Sequence, residues 1–398
     1  MNWIEGIIVF AFVLNLFCIF IVFAGYPAFL FVFSLGKPKR FNSPGQESYP
    51  YISVIVVFRN AETLIEQKIL NFKELDYPET KMEMILVSDG STDQSLDLIQ
   101  NDLSDRIRLF HSKDHIGKAR GLNLGVKQSK GDILVFSDAD SILIKNSIQV
   151  LSKYFSDSAI GGVCGQRSVL ENHTRIRSGQ MKYIEWDSMI KALEVKSGLS
   201  ITSHDGKLYA VRKKLFQPVP DAVTDDSFIS LSIIRQKYRF IFDRDAIAFI
   251  RIPSRNGWHE LKRRARIVCR SLNGLKMNRE LFNPGKFGFF SIGLFVNKVL
   301  RRTLPFALIL FFLTSWMLSD NGVVPAVIAF WGQVAGYGLS LLHPFFCTRP
   351  LSDKAAGRFL KKISGLGFFF CLGMLGTLLG VVLFFSGKEI TKWDPEKG

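Results

Sequence analysis

Ile133-Leu134-Val135-Phe136-Ser137-Asp138-Ala139-Asp140 is the stretch on which the reading of this chain turns. Four consecutive apolar residues have the composition of a strand buried on both faces, as strands of parallel sheets are. The two carboxylates after them, spaced i, i+2 at the strand's carboxyl end, suit one divalent cation held against a diphosphate. A hard ion such as Mg²⁺ or Mn²⁺ takes oxygen ligands and shares them between one or two protein carboxylates and substrate phosphates, so it needs few protein ligands. Taken alone, Asp-x-Asp is also an ordinary solvated turn, and the rest of the chain decides between the two.

Upstream the same pattern recurs. Ile52 to Phe58 is a continuous apolar run, Glu62 to Lys73 has helical spacing, Met84 to Val87 is a second buried strand and Asp93 to Gln100 a second helix. Strand Ile107 to Phe110, helix Lys118 to Gln128 and strand Ile133 to Phe136 complete the series. Such alternation predicts a mostly parallel mixed α/β sheet covered on both faces, with ligands bound beyond the carboxyl ends of the strands. Polar residues fall at those ends: Arg59, Asn60 and Glu62 after the first strand, Ser88 to Asp93 after the second, Asp138 and Asp140 after the fourth. Helix capping explains Ser91, Thr92 or Asp93 singly. It explains the coincidence at three strand ends poorly.

Outside this region the apolar residues pile up. Ile7 to Phe33 holds no charged residue, more than the roughly 20 residues a helix needs to cross a bilayer. It lacks a basic n-region and is long for a cleaved signal, so it reads as a retained anchor. Thr303 to Ser319, Val323 to Phe346 and Leu366 to Phe385 are three further candidate spans, while Phe287 to Val296 reads as an interfacial helix or a short re-entrant segment. The net charge of +16 in 398 residues is placed beside these spans. Lys37, Lys39 and Arg40 come after the first, and Lys298, Arg301 and Arg302 precede the second, which predicts a cytoplasmic middle region with the amino terminus outside. No basic and aromatic alternation of a nucleic-acid binder accompanies the charge. The five cysteines have neither paired nor metal-ligand spacing and read as reduced structural thiols. The expected organisation is an anchor over 1–35, a linker over 36–50, an α/β domain over 51–250, a basic interfacial segment over 251–302, about three membrane helices over 303–388 and a tail over 389–398.

With these residues in hand, the chain from about Tyr51 to Leu275 resembles the membrane-anchored family 2 glycosyltransferases, inverting enzymes with a GT-A nucleotide-binding domain flanked by transmembrane helices. The resemblance implies roles for particular residues. Asp89 stands for the acid that reads the nucleobase, with Arg59 and Glu62 nearby. Lys118, in Gly117-Lys118-Ala119-Arg120-Gly121-Leu122-Asn123, matches a lysine near the nucleotide. Asp138 stands for a nucleotide and sugar contact, and Asp140 for the ligand of a Mg²⁺ or Mn²⁺ cofactor. Thr224-Asp225-Asp226, before a predicted helix over Ser227 to Gln236, resembles the family's Thr-Glu-Asp segment. Its last acid serves as general base, which assigns that role to Asp226, with Asp225 in place of the usual Glu. Gly206 to Arg212 resembles the loop that lines the acceptor side.

The departure lies at Arg263-Arg264-Ala265-Arg266-Ile267, where polymer-forming members carry Gln-x-x-Arg-Trp. Ile267 in place of the Trp implies non-processive transfer. Arg263, Arg264 and Arg266 either contact the diphosphate, as guanidinium forks match phosphate oxygens, or lie on anionic lipid. The expected function is metal-dependent inverting transfer of a sugar from a nucleotide sugar, a UDP-sugar above others, to a saccharide or glycolipid acceptor at a bacterial cytoplasmic membrane. Transfer to a polyprenyl phosphate is the nearest rival, and a catalytically silent nucleotide-binding scaffold is the alternative of another class. A transport function is disfavoured, because the spans hold few ionisable residues.

Overall fold

The structure is a computed structural model, and it describes residues 3–36, 49–169, 177–250, 257–348, 355–387 and 390. Most of the expected linker, its basic residues Lys37, Lys39 and Arg40, and nearly all of the carboxyl-terminal tail lie outside these described residues.

Eight strands form one sheet in the order β3-β2-β1-β4-β7-β6-β8-β5. They are β1 (Ile52–Phe58), β2 (Met82–Asp89), β3 (Ile107–Ser112), β4 (Ile133–Ser137), β5 (Ser141–Leu143), β6 (Ile160–Val169), β7 (Leu208–Arg212) and β8 (Arg239–Ile250). β1 runs parallel to both β2 and β4, in a register that sets Ile52 beside Met82 on one side and Ile133 on the other. β7 then pairs antiparallel with β4 and β6, so the sheet is parallel at one end and mixed at the other. The carboxyl ends of β1, β2 and β4 therefore open on the same edge, and the order reverses between β1 and β4. At such a switch point the helices diverge to opposite faces and leave a crevice.

Alternation along the strands explains the two cores. Val54, Val56 and Phe58 pack on one face against Ile65, Ile69 and Phe72 of helix α1 (Ile65–Lys73). Ile55, Val57, Leu134 and Phe136 face the other way, against Leu122 and Val126 of α2 (Lys118–Gln128) and Ile229 and Ile233 of a further helix, Asp225–Arg235. Every residue of β1, β2 and β4 is buried, as strands covered on both faces require. Between β6 and β7 runs α3 (Arg177–Lys196); the helix Asp225–Arg235 is α4, and α5 (Gly257–Met277) comes after β8.

Four helical runs are long and apolar enough to cross a membrane: Trp3–Ser34, Phe289–Asp320, Val324–Leu341 and Gly357–Phe385. The second differs from expectation. The segment Phe287 to Val296 is not separate from the span beyond it, because its helix continues through a π-helical turn, Phe295–Leu300, into Arg301–Asp320. Three cations interrupt the hydropathy there, and the fold satisfies each: Lys298 donates to Ser203 Oγ at 2.9 Å, Arg301 to Asn297 Oδ1 at 3.1 Å and Arg302 to Ser271 Oγ at 2.6 Å. First and second spans meet through Phe12 and Phe311, whose rings stack 5.0 Å apart. A buried carboxyl, Glu194 of α3, joins spans and sheet domain. It accepts hydrogen bonds from Tyr26 of the first span at 2.7 Å and from Thr202 Oγ1 at 2.7 Å, and Thr202 Oγ1 in turn accepts from Asn297 of the second span. Burial pushes its pKa up to about 7.

Candidate active site

The crevice beyond β1, β2 and β4 collects most of the residues expected to form a site. Asp138 stands where β4 ends and accepts from Lys118 Nζ at 2.9 Å and Lys207 Nζ at 2.8 Å. Lys118, the first residue of α2, reaches Asp225 Oδ2 as well, at 3.0 Å. Lys207, just before β7, continues to both oxygens of Asp140 at 3.0 and 3.2 Å. One chain of alternating charge thus runs Asp225, Lys118, Asp138, Lys207, Asp140. Burial works against the charge on Asp138, but the two ammonium groups overcome it and hold its carboxyl well below the usual carboxylate range.

Asp226 stands apart from that chain although it comes directly after Asp225. Both lie in the first turn of α4, after the N-cap residue Thr224. Asp225 pairs with Lys118, whereas Asp226 Oδ1 accepts, among the described residues, only from the neighbouring Ser227 N, at 2.6 Å. Burial, and after it the repulsion of Asp225, pushes the carboxyl of Asp226 up to about 7. Its backbone is fixed by His204, whose Nε2 donates to the Asp226 carbonyl at 2.8 Å and whose ring stacks on Phe240. Burial, then Lys191, drives that imidazole down to about 3, so it is the neutral ring that holds the carbonyl.

Two glycines shape the crevice. Gly90, at φ +64°, passes so close to the Asp114–His115 loop that a Cβ would stand 2.8 Å from His115 N. Gly206, at φ +66°, would bring a Cβ to 2.8 Å from Asp226 Oδ2. Gly206→Ala combines left-handed backbone with a contact that displaces the acid, and misplacement of a reacting group by an ångström costs about 10²-fold. The expected result is a fall of that order in kcat with nucleotide affinity retained, read from initial rates and a binding titration.

The remaining expected residues divide. Asp89 is fully buried; it accepts from Ile116 N at 2.7 Å, Gly117 N at 2.9 Å and His115 Nδ1 at 2.9 Å. It thereby pins the loop that delivers Lys118. Glu62 N donates to Asp93 Oδ2 at 3.1 Å and Glu62 Oε2 accepts from Gln94 N at 3.3 Å, so this pair ties the ends of β1 and β2 together. Arg59 is half-buried directly beyond β1. Arg263 lies on α5, its fork bound to Glu260 at 2.8 to 3.0 Å. Arg264 also reaches Glu260 and lies over the ring of Phe369. Arg266 is half-buried on the same helix. One turn farther on, the buried Arg270 donates through Nε and Nη2 to Val223 O, immediately before the Thr224-Asp225-Asp226 turn.

Sequence reasoning missed four of these groups. Lys68 is 1% exposed and lies beneath the Asp138 to Ser141 turn, donating to Ser137 Oγ at 2.8 Å and Ser141 O at 2.6 Å. Burial lowers its pKa to about 7 against the pull of Asp138 and Asp140. Its signal was a lysine on the apolar stripe of α1, between Ile65, Ile69 and Phe72. Lys207 fell within the Gly206 to Arg212 loop that the resemblance sets on the acceptor side, without a role of its own, and Arg270 had no local signal. A lone His204 had none either.

Among the described residues no three His, Cys, Asp or Glu side chains form a metal-holding group. Asp138 and Asp140 nevertheless fit a hard cation whose other ligands are phosphate oxygens and water. Their carboxylates converge on one positive centre, now the Lys207 ammonium, and Asp140 is the more open, 36% exposed against 25%.

Comparison with known proteins agrees with this geometry. Residues 53–219 match the Glycosyl transferase family 2 model. The chain carries a glycosyl transferase family 2 domain. An uncharacterized glycosyltransferase of Haemophilus influenzae is 25% identical over 206 residues, covering 51% of this chain and 80% of the relative. A poly-beta-1,6-N-acetyl-D-glucosamine synthase of Staphylococcus aureus is 25% identical over 233 residues, and the match spans only about half of its length, 55%. The mannosyltransferase PcManGT of Pyrobaculum calidifontis, solved with GDP-Man and Mn²⁺, superposes with a TM-score of 0.68 at 21% identity, over 95% of this chain and all of that one. The GT-A fold with its helical flanks is thereby shared.

Proposed function

We propose that this family 2 domain transfers a sugar from a nucleoside-diphosphate sugar to an acceptor hydroxyl at the membrane, with inversion at the anomeric carbon. The observation that carries this reading is the separation of Asp226 from the ion-paired chain that ends at Asp138 and Asp140. One acid is left partly buried, with a raised proton affinity, beside a row of charges suited to a diphosphate.

In the proposed reaction Asp226 takes the proton of the acceptor hydroxyl. The oxygen attacks the anomeric carbon from the face opposite the diphosphate, the bond from that carbon to the diphosphate oxygen breaks, and nucleoside diphosphate leaves. Lys118 and Lys207 stand where negative charge develops on the leaving group. Asp138 and Asp140 would hold Mg²⁺ or Mn²⁺, which when bound neutralises diphosphate charge as a Lewis acid. Asp225 keeps Lys118 in place, Asp89 shapes the loop beside the nucleotide, and Arg59 and Arg266 are further donors toward it. A UDP-sugar is the first donor to test, with a GDP-sugar second because PcManGT is complexed with GDP-Man. Ile267 in place of the family's Trp supports addition of single units.

The test is nucleotide release by the detergent-solubilised chain across a panel of nucleotide sugars, with Mn²⁺, with Mg²⁺ and with chelator. Release from one donor supports the reading and names the sugar; absence of both release and nucleotide binding makes it wrong. The pH dependence is a second check. Asp226 must be ionised to accept a proton, so activity rises with pH through its pKa and the acid limb of kcat/KM should centre near 7. Removing the neighbouring charge in Asp225→Asn should move that limb to lower pH. A wild-type limb at the ordinary carboxylate value, about 4, would contradict the raised proton affinity on which the assignment of Asp226 leans.

A further inference from the structure

A second cavity lies away from the crevice, where sheet domain and membrane helices meet. Its volume is about 240 Å³, and its walls come from three elements: Phe23 of the first span, Trp186 and Ile190 of α3, and Val296 of the second span, with Lys182 and Arg301 also on the lining. Phe23 and Val296 lie within candidate membrane spans, beside α3 of the sheet domain. The chemistry of the lining is two-fold. Aromatic and aliphatic side chains share the lining with two cations. Arg301 packs over the ring of Tyr183 and donates to Asn297, and among the described residues no carboxylate pairs with it or with Lys182. Two positive charges without an acid, on the lining of a mostly apolar cavity between candidate membrane spans and the sheet domain, call for an anion that carries a hydrocarbon chain.

We propose that this cavity holds the phosphate head of a membrane lipid, the phosphate between Lys182 and Arg301 and the first carbons of the chain against Phe23, Trp186, Ile190 and Val296. The inference rests on the transferase reading in one respect: the lipid is the carrier of the acceptor. The site is joined to the catalytic acid by the fold. Asn297 on the lining donates to Thr202 at 2.7 Å, and His204, two residues on, holds the carbonyl of Asp226.

Native mass spectrometry of the full chain released from detergent tests the assignment with farnesyl phosphate as probe and no donor present. One saturable adduct is expected. Losing one charge-assisted contact in Arg301→Gln or Lys182→Gln should weaken it about tenfold, and farnesol, lacking the phosphate, should bind at least as poorly. Ile190→Trp, which fills the chamber, should abolish it. Inorganic phosphate at equal concentration should not displace the probe. Unchanged binding in the variants, equal binding of farnesol, or displacement by inorganic phosphate would each overturn the assignment. Nucleotide binding serves as the control for folding, and Lys182→Gln, at an exposed position, carries the test if Arg301→Gln does not fold. Because the probe is read without turnover, lost binding counts against the cavity, while intact binding without sugar transfer counts against the transferase reading.

Discussion

Asp226→Asn is expected to lower kcat for transfer by about 10²- to 10⁴-fold, the range that positioned acid–base groups contribute. The amide is nearly the same size and can still accept from Ser227 N, so the first turn of α4 should keep its shape. What disappears is the proton acceptor. In the proposed reaction metal and nucleotide are held at the other end of the crevice, by Asp138, Asp140 and Lys118, so their affinities should change little. The acid limb of the pH profile should vanish from whatever activity remains. Asp225→Asn provides the contrast, because its carboxylate is tied to Lys118: that variant should lose nucleotide affinity as well as rate. Normal turnover in Asp226→Asn would transfer the role of base to another group.

Asp140→Asn should be comparably damaging by a different route. Losing one of two carboxylates that converge on a cation removes much of the neutralisation of the leaving diphosphate, and a metal acting as Lewis acid is worth several kcal/mol, so a loss of about 10²-fold or more is expected. Nucleoside diphosphate affinity in Mn²⁺ should fall toward the value measured in chelator, where the wild type should also be inactive. Lys207 supplies the discriminating comparison. Its ammonium lies between Asp138 and Asp140, so it is the only other positive charge held by both carboxylates among the described residues. If the reaction depends on that lysine and not on a metal, chelator will leave the rate unchanged and Lys207→Gln will be the more harmful substitution. Activity that survives chelator in this way would remove the metal from the proposed function.

The parallel half of the sheet was legible because its strands declare themselves without context. β1 matches the predicted strand Ile52 to Phe58 at both ends, and α2 matches Lys118 to Gln128. β2 extends past the predicted Met84 to Val87, and the reason is Glu83. A glutamate ends an apolar run on any hydropathy reading, yet here it is fully buried, accepting from Ser53 Oγ, Lys130 N and Arg108 Nη2. Those partners come from β1, the loop before β4 and β3. The same cause lies behind the second span, whose cations mark a boundary in the sequence and a continuous helix in space.

The acidic residues of the crevice divide in the same way. The polar strand ends placed Asp138 and Asp140 at one crevice, while only the motif resemblance pointed to Asp225 and Asp226 and named the base. Which acid is free to act depends on where Lys118 and Lys207 reach, and those contacts join residues scores of positions apart.

By itself, then, the sequence determined the buried parallel strands, the edge on which their polar ends open and the presence of membrane helices, since each depends on composition and period within a few turns of chain. Only the tertiary structure decided the charge pairing in the crevice, the burial of Lys68 and His204, and the cavity beside Arg301. Hydrogen bonds and ion pairs between distant segments have no period to read, and a charged side chain is stable in the interior only when folding brings it a partner.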